Sequence, residues 1–264
     1  MTKEEVRRYL EFYQDLGVKN LYRRGGAGEP VTGSSEQAAE SGRQVAESGR
    51  QVAGTTPSRL SDPLIPLVLP LGPGHDNLAK ISEDIGDCKR CRLHEGRNRI
   101  VFGSGSPEAR LVFVGEGPGA DEDEQGLPFV GRAGQLLTQM IEGTARKEGI
   151  PLKRADVYIC NVVKCRPPEN RTPQPDEMEI CGQFLFRQLQ VIRPKAVCAL
   201  GSTAAKALLG TTLGVTKLRG KWHAWRDIPL MVTYHPSYLL RPYNQNAKKE
   251  AWEDLKLVLH YVYD

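Results

Sequence analysis

The chain has 264 residues, 36 basic against 32 acidic, and a pI near 8.7. That length can bury a real core, in one large domain or in a domain with an appendage, and the mild basic excess leaves any nucleic-acid affinity to local clustering of charge. No apolar run approaches a membrane span, and the opening MTKEEVRRYLEFYQ lacks a secretory core, so a soluble cytoplasmic protein with no membrane partner is expected.

Val6, Tyr9, Leu10, Tyr13 and Leu16 recur at helical spacing and predict a short amphipathic helix within residues 1–24, either a cap or a docking element for a protein partner. Residues 25–74 turn rich in Gly, Ser, Pro, Ala and Gln, and SGRQVAE is followed at once by SGRQVAG. The tandem is too short for a solenoid and too polar for a core, so it reads as a disordered linker.

Residues 75–264 read as one α/β unit. The apolar segments Leu111–Val114, Val157–Val163, Ala196–Leu200 and Leu230–Thr233 predict strands. Helical patterns run over about Ala133–Glu148, Asp176–Val191, Ser202–Leu209 and Lys248–Val262. Strands separated by helices imply a three-layer α/β/α fold with a mainly parallel central sheet. Each unusual polar motif lies at or just after one of the apolar segments, and ligands of open α/β sheets bind at the carboxyl ends of strands, so the motifs are expected to line one crevice.

Ahead of the first strand, Cys88 and Cys91 form C-x2-C, while Cys165 and Cys181 stand 16 positions apart. In a reducing compartment, thiols so spaced among Arg, Lys and Pro suit zinc or an iron-sulfur cluster, and spacing does not choose between them. Cys160 and Cys198, inside apolar strand runs, read as buried free thiols.

The first strand ends in GEGPGADEDE, where Gly115, Gly117 and Ala120 satisfy a dinucleotide fingerprint. Asp121, Glu122, Asp123 and Glu124 follow where a pyrophosphate needs positive potential, and no Lys followed by Ser or Thr completes a P-loop. The loop should hold something neutral. Farther on, YHPSYLLRP puts His235 directly after a strand, then Tyr238, Leu239 and Leu240 before Arg241. Apolar side chains beside Arg suit a wedge between stacked bases with Arg on phosphate; a core role for the leucines is the plainer reading of that loop alone.

Together, GEGPGADED, FVGRAGQLL, NVVKCRPPENRTP, LGSTAAKALLG and HPSYLLR, with the four spaced cysteines, resemble the iron-sulfur (family 4) uracil-DNA glycosylases over roughly Leu78 to Tyr261. The resemblance implies a monomeric enzyme that flips uracil out of single- or double-stranded DNA and hydrolyses its N-glycosidic bond, starting base-excision repair. It implies that Glu116 and Gly117 line the uracil pocket, the glutamate crowding the methyl group of thymine, and that Phe129 stacks on the base. Asn161 would hydrogen-bond the uracil edge and His235 would face O2, with Glu122 and Asp123 closing the first motif. Cys88, Cys91, Cys165 and Cys181 would hold a four-iron four-sulfur cluster.

Breaking that bond builds positive charge on the sugar and negative charge on the base, so a donor at the base and carboxylates near the sugar or water are needed. His235 can supply the first, Glu122 or Asp123 the second, and an Asn161 amide offers the donor and acceptor that the O4/N3-H edge requires. Expected phosphate contacts are Lys89, Arg90, Arg92, Arg97 and Arg99 near the first cysteine pair, with Arg166, Arg171 and Arg241. Relatives that trap uracil DNA covalently carry a histidine-bearing insertion near the third cysteine; RPPENRTP has no histidine, so turnover is expected. Two other readings compete: a noncatalytic iron-sulfur or zinc DNA-binding protein, against which the pairing of Asn161 with His235 weighs, and a nucleotide-dependent oxidoreductase, which the acidic run disfavours.

Overall fold

A computed structural model describes residues 76–241 and 244–264. The helix expected within 1–24 and the linker expected over 25–74 lie outside the described residues.

Six strands form one sheet: β1 (Ser104–Gly105), β2 (Leu111–Gly115), β3 (Tyr158–Asn161), β4 (Ala196–Leu200), β5 (Trp222–Trp225) and β6 (Ile228–Thr233). Their spatial order is β1-β3-β2-β4-β6-β5, with β3, β2, β4 and β6 parallel and the two edge strands antiparallel to their neighbours. The helices are α1 (Leu78–Ile85), α2 (Ala120–Gln125), α3 (Arg132–Lys147), α4 (Pro175–Ile192), α5 (Gly201–Leu209), α6 (Val215–Leu218), α7 (Pro236–Leu239) and α8 (Gln245–Tyr263).

Strand periodicity explains the layers. Alternate residues leave opposite faces of a sheet, and every residue of β2 and β4 is buried, so both faces are covered. Val112, Val114, Cys160, Val197, Ala199 and Val232 pack on one side with Phe184 and Leu185 of α4 and Ala204 and Leu208 of α5. Leu111, Phe113, Ile159, Cys198 and Met231 pack on the other with Leu137 and Ile141 of α3 and Leu255, Val258 and Leu259 of α8. Each fully buried Leu or Ile in these layers contributes roughly 1.5–3 kcal/mol. Cys160 and Cys198 are the buried free thiols expected, one on each face.

The expected α/β/α architecture is what forms, with element ends shifted by a few residues at most. Edge strands β1 and β5 and the short helix α2 had no strong apolar pattern to announce them, whereas α1 carries Leu78, Ile81 and Ile85 at helical spacing and was missed. The chain leaves β2 for β3 on one side and then crosses to β4 on the other. That reversal opens a crevice at the carboxyl ends of the parallel strands, where Gly115, Asn161, Gly201 and His235 all lie, with Gly115 in register with Asn161.

Candidate active site

The crevice is built first around a close approach. A methyl group added to Gly115 would stand 2.4 Å from Asn161 Oδ1 and 2.5 Å from Phe129 Cζ, so the end of β2 must be glycine for the amide and the ring to share this space. Phe129 has φ 53°, a left-handed conformation that costs a bulky residue about 1–3 kcal/mol and is tolerated where the surroundings over-determine it. They do so here: Arg154 Nη2 donates to the Pro128 carbonyl at 2.7 Å, and the first turn of α3 packs so tightly on the Phe129 backbone that only Gly134 fits there. Asn161, the last residue of β3, is 1% exposed, and its Oδ1 has no hydrogen-bond partner. A buried acceptor left unpaired costs about 1–3 kcal/mol, and one aimed into a crevice marks a place for a donor.

His235 follows β6 and caps α7. Its ring lies 5.6 Å from that of Phe129, tilted by 36°. Nδ1 accepts from the Ser237 backbone N–H at 3.2 Å and lies 2.8 Å from Ser237 Oγ. An Nδ1 that accepts carries no proton, so the neutral imidazole bears its hydrogen on Nε2. Burial of the ring pushes its pKa down to about 4, which keeps it neutral at ordinary pH. At Gly201, with φ +90° where β4 turns into α5, a side chain would be strained and its Cβ would stand 3.0 Å from His235 Cβ, so glycine lets this turn pack beside the histidine. Phe129 therefore sits between an unpaired acceptor and a neutral N–H donor.

Glu116 accepts a hydrogen bond from the Thr203 hydroxyl on α5, and Gly117 packs against Val163. The acidic pair behind them is occupied by backbone N–H groups of neighbouring loops. Glu122 accepts from the backbone N–H groups of Gly119, Val130 and Gly131 at 2.9–3.1 Å, joining the first motif to the Phe129 loop. Asp123, fully buried, accepts from Asn98 N, Asn98 Nδ2 and Arg99 N. Hydrogen bonds to an ionised group contribute about 1.5–3 kcal/mol each. Asp123→Ala is accordingly expected to lose about 3 kcal/mol of stability, read as a lower urea midpoint with an unchanged slope.

The expected four-iron four-sulfur cluster is corrected by the structure. Among the described residues, no group of three or more His, Cys, Asp or Glu side chains could hold a metal ion, and the cysteines are free. Cys88, Cys91, Cys165 and Cys181 do border one cavity with Ile85, Ile100 and Phe184, but its volume is about 10 Å³, room for about one water. Burial pushes the Cys181 thiol up to about 12, and the Cys91 and Cys165 thiols are raised for the same reason. The four behave as packing and acceptor groups between α1 and α4, Cys181 accepting from Lys164 N and Cys165 from Arg97. The metal of the competing DNA-binding reading goes with them.

Most cations near these cysteines are also committed. Lys89 and Arg97 pair with Asp87, Arg90 with Asp84, Arg92 with Asp176, and Arg171 grips the buried Glu177 through two hydrogen bonds. Arg166 donates to Asn170 Oδ1, while Arg99 and Arg241 are exposed without a carboxylate partner among the described residues. In the histidine loop, Leu239 is 1% exposed and packs with Ala247 and Ala251, so it belongs to the core and not to a wedge. Tyr238 is exposed, stacks on Tyr234 at 5.3 Å and lies under the Arg241 guanidinium; Leu240 is half-buried.

Arg154, Ser237 and Thr203, which hold Phe129, His235 and Glu116, escaped the sequence reading. Arg154 lies outside every motif singled out, whereas Thr203 stands in LGSTAAKALLG and Ser237 in HPSYLLR, which could have pointed to them. A cavity of about 340 Å³ lies behind the Phe129 loop against Ser104, Gln135, Thr138 and Arg154 and includes neither Asn161 nor His235. Convergent polar groups locate the site better than that cavity does.

The uracil DNA glycosylase superfamily model matches residues 102–256. The chain is 45% identical over 184 residues to a type-4 uracil-DNA glycosylase of Thermotoga maritima, spanning 69% of this chain and 93% of that protein. It is 44% identical over 191 residues to a type-4 enzyme of Sulfurisphaera tokodaii, spanning 69% and 84%. With a type-5 uracil-DNA glycosylase of Pyrobaculum aerophilum the identity is 32% over 169 residues, 59% and 71%.

Proposed function

Since the chain belongs to the uracil DNA glycosylase superfamily and is homologous within it to type-4 enzymes, we propose that it excises uracil from DNA by hydrolysing the N-glycosidic bond of a flipped nucleotide. The observation that carries this reading is the unpaired, buried Oδ1 of Asn161 beside the Phe129 ring. Uracil offers N3–H to that acceptor and O4 to the amide Nδ2, whereas cytosine reverses both. A site left with mismatched buried partners discriminates far more strongly than one that lacks a methylene contact. Phe129 then stacks on the base, and Glu116, held by Thr203, crowds a 5-methyl group.

Chemistry falls to His235. As the bond from the sugar carbon to N1 breaks, its electron pair moves onto the base and the Nε2–H of a neutral imidazole hydrogen-bonds to O2; water forms the new C–O bond and releases its proton to solvent, and the uracil anion takes up a proton from solvent as it leaves. A preorganised donor of this kind acts on charge that develops in the transition state and so accelerates the step. Glu122 and Asp123 serve by holding the loops that frame the base. Either single- or double-stranded DNA can present the nucleotide, the duplex costing a few kcal/mol more in unstacking and unpairing.

Arg99, Arg166 and Arg241 are the cations left for phosphate. Arg241→Ala is expected to weaken DNA binding alike for all sequences and to lower the slope of log K against log salt by about 1, with bond cleavage on bound DNA unchanged. The reading itself is tested with oligonucleotides carrying a single uracil, thymine or cytosine, treated with alkali after incubation. Strand scission confined to uracil supports it; no scission with retained DNA binding favours the noncatalytic binding protein.

A further inference from the structure

Little in the histidine loop fixes where β6 ends, yet the height of the imidazole depends on it. Thr233, the last residue of β6, is fully buried, and its hydroxyl donates to Asp254 Oδ2 at 2.7 Å. Asp254, on α8 and 1% exposed, accepts from Arg219 Nε at 3.0 Å and Nη2 at 2.7 Å. Arg219, at the end of α6, also donates to the Glu250 carbonyl. The Glu250 carboxylate takes the hydroxyl of Tyr234, the residue between Thr233 and His235, at 2.8 Å. The two residues that precede His235 are thus each tied by a side chain to a carboxylate of one helix, Thr233 to Asp254 and Tyr234 to Glu250.

A buried ion pair is an expensive staple, since apolar side chains of similar volume often stabilise as well or better. What it adds is direction: a fork of fixed geometry defines the Thr233 hydroxyl position as apolar packing would not. We propose that Thr233, Asp254 and Arg219 are positioning residues for His235, their hydrogen-bonded chain setting the end of β6 so that Nε2–H meets the departing base. This rests on the catalytic reading of His235. None of the three touches substrate; each acts through the backbone of the loop. A displacement of about 1 Å at a reacting group can cost on the order of 100-fold in rate, and loss of one link should displace it by less.

The test is single-turnover excision by Thr233→Val, which keeps the shape and removes the donor. Uracil release is expected to fall about 10-fold, with DNA affinity within about twofold of wild type and Thr233→Ser restoring the rate. Excision of 5-fluorouracil, a better leaving group that leans less on a donor at O2, should suffer less than excision of uracil. In a His235→Ala background the valine should cost nothing further, because two changes acting through one group are not additive. Arg219→Lys carries the same comparison if Thr233→Val lowers the melting temperature. Equal losses on both bases, or full additivity with His235→Ala, would make the chain a structural staple and overturn the proposal. A wild-type rate for His235→Ala would instead remove the histidine reading on which it stands, whatever Thr233→Val does.

Discussion

His235→Ala is expected to slow single-turnover release of uracil by about 100- to 1000-fold while DNA affinity stays nearly unchanged, the size typical of losing one preorganised donor to a developing anion. The split between rate and affinity follows from the tautomer. Ser237 occupies Nδ1, so the group facing the crevice is a neutral N–H whose bond to O2 strengthens only as charge moves onto the base. The pH dependence should agree. With the pKa pushed down to about 4 by burial, His235 imposes no acid limb between pH 7 and pH 5. The same shift enters stability: the folded value lies below the ordinary 6.5, so the stabilising contribution is present above pH 6.5 and is lost as pH falls towards 4. His235→Ala should remove that part of the acid sensitivity. Equal rates in the variant and wild type, with weakened binding alone, would make the loop a DNA contact.

Asn161→Asp is expected to cost about as much. At neutral pH a carboxylate would put charge where the O4 of uracil needs a donor, in a position that water scarcely reaches. Burying an unpaired charge costs far more than an unpaired amide, so the variant is expected either to lose uracil excision by roughly 1000-fold or to take up a proton. The protonated form presents the reversed donor and acceptor pattern, and a low cytosine-releasing activity that grows as pH falls is the expected signature. Measuring uracil and cytosine release side by side between pH 5 and 8 checks both. Unaltered uracil excision would show that the base edge is read elsewhere.

How much of this was legible in the sequence follows from the range of each interaction. The strands β2 and β4 announce themselves because burial on both faces leaves a continuous apolar run, and the crevice follows from where those runs stop. That Asn161 and His235 stand at such stops was legible from the runs themselves. The donors that Glu122 and Asp123 gather were not legible, because Asn98, Arg99, Val130 and Gly131 come from other loops and carry no local signal for those contacts. For Leu239 the sequence left a wedge and a core role both open, because a four-residue helix shows too little periodicity to reveal which side chain turns inward. Cysteine spacing correctly brings four thiols to one cavity, but it carries no information on the volume or geometry between them. The chain from Thr233 to Asp254 and Arg219 joins three elements and leaves no local signal at all.

The central claim is that this protein breaks the bond between uracil and deoxyribose with water. The most direct measurement is made in water enriched in oxygen-18, with an oligonucleotide bearing one uracil, and with both products weighed by mass spectrometry. Free uracil without the heavy label, in equal amount to an abasic strand, is the expected result, with the label on the sugar at times short enough to outrun exchange of the abasic aldehyde with solvent. Intact DNA that remains bound to the protein, or a covalent adduct between protein and strand without free uracil, would contradict it.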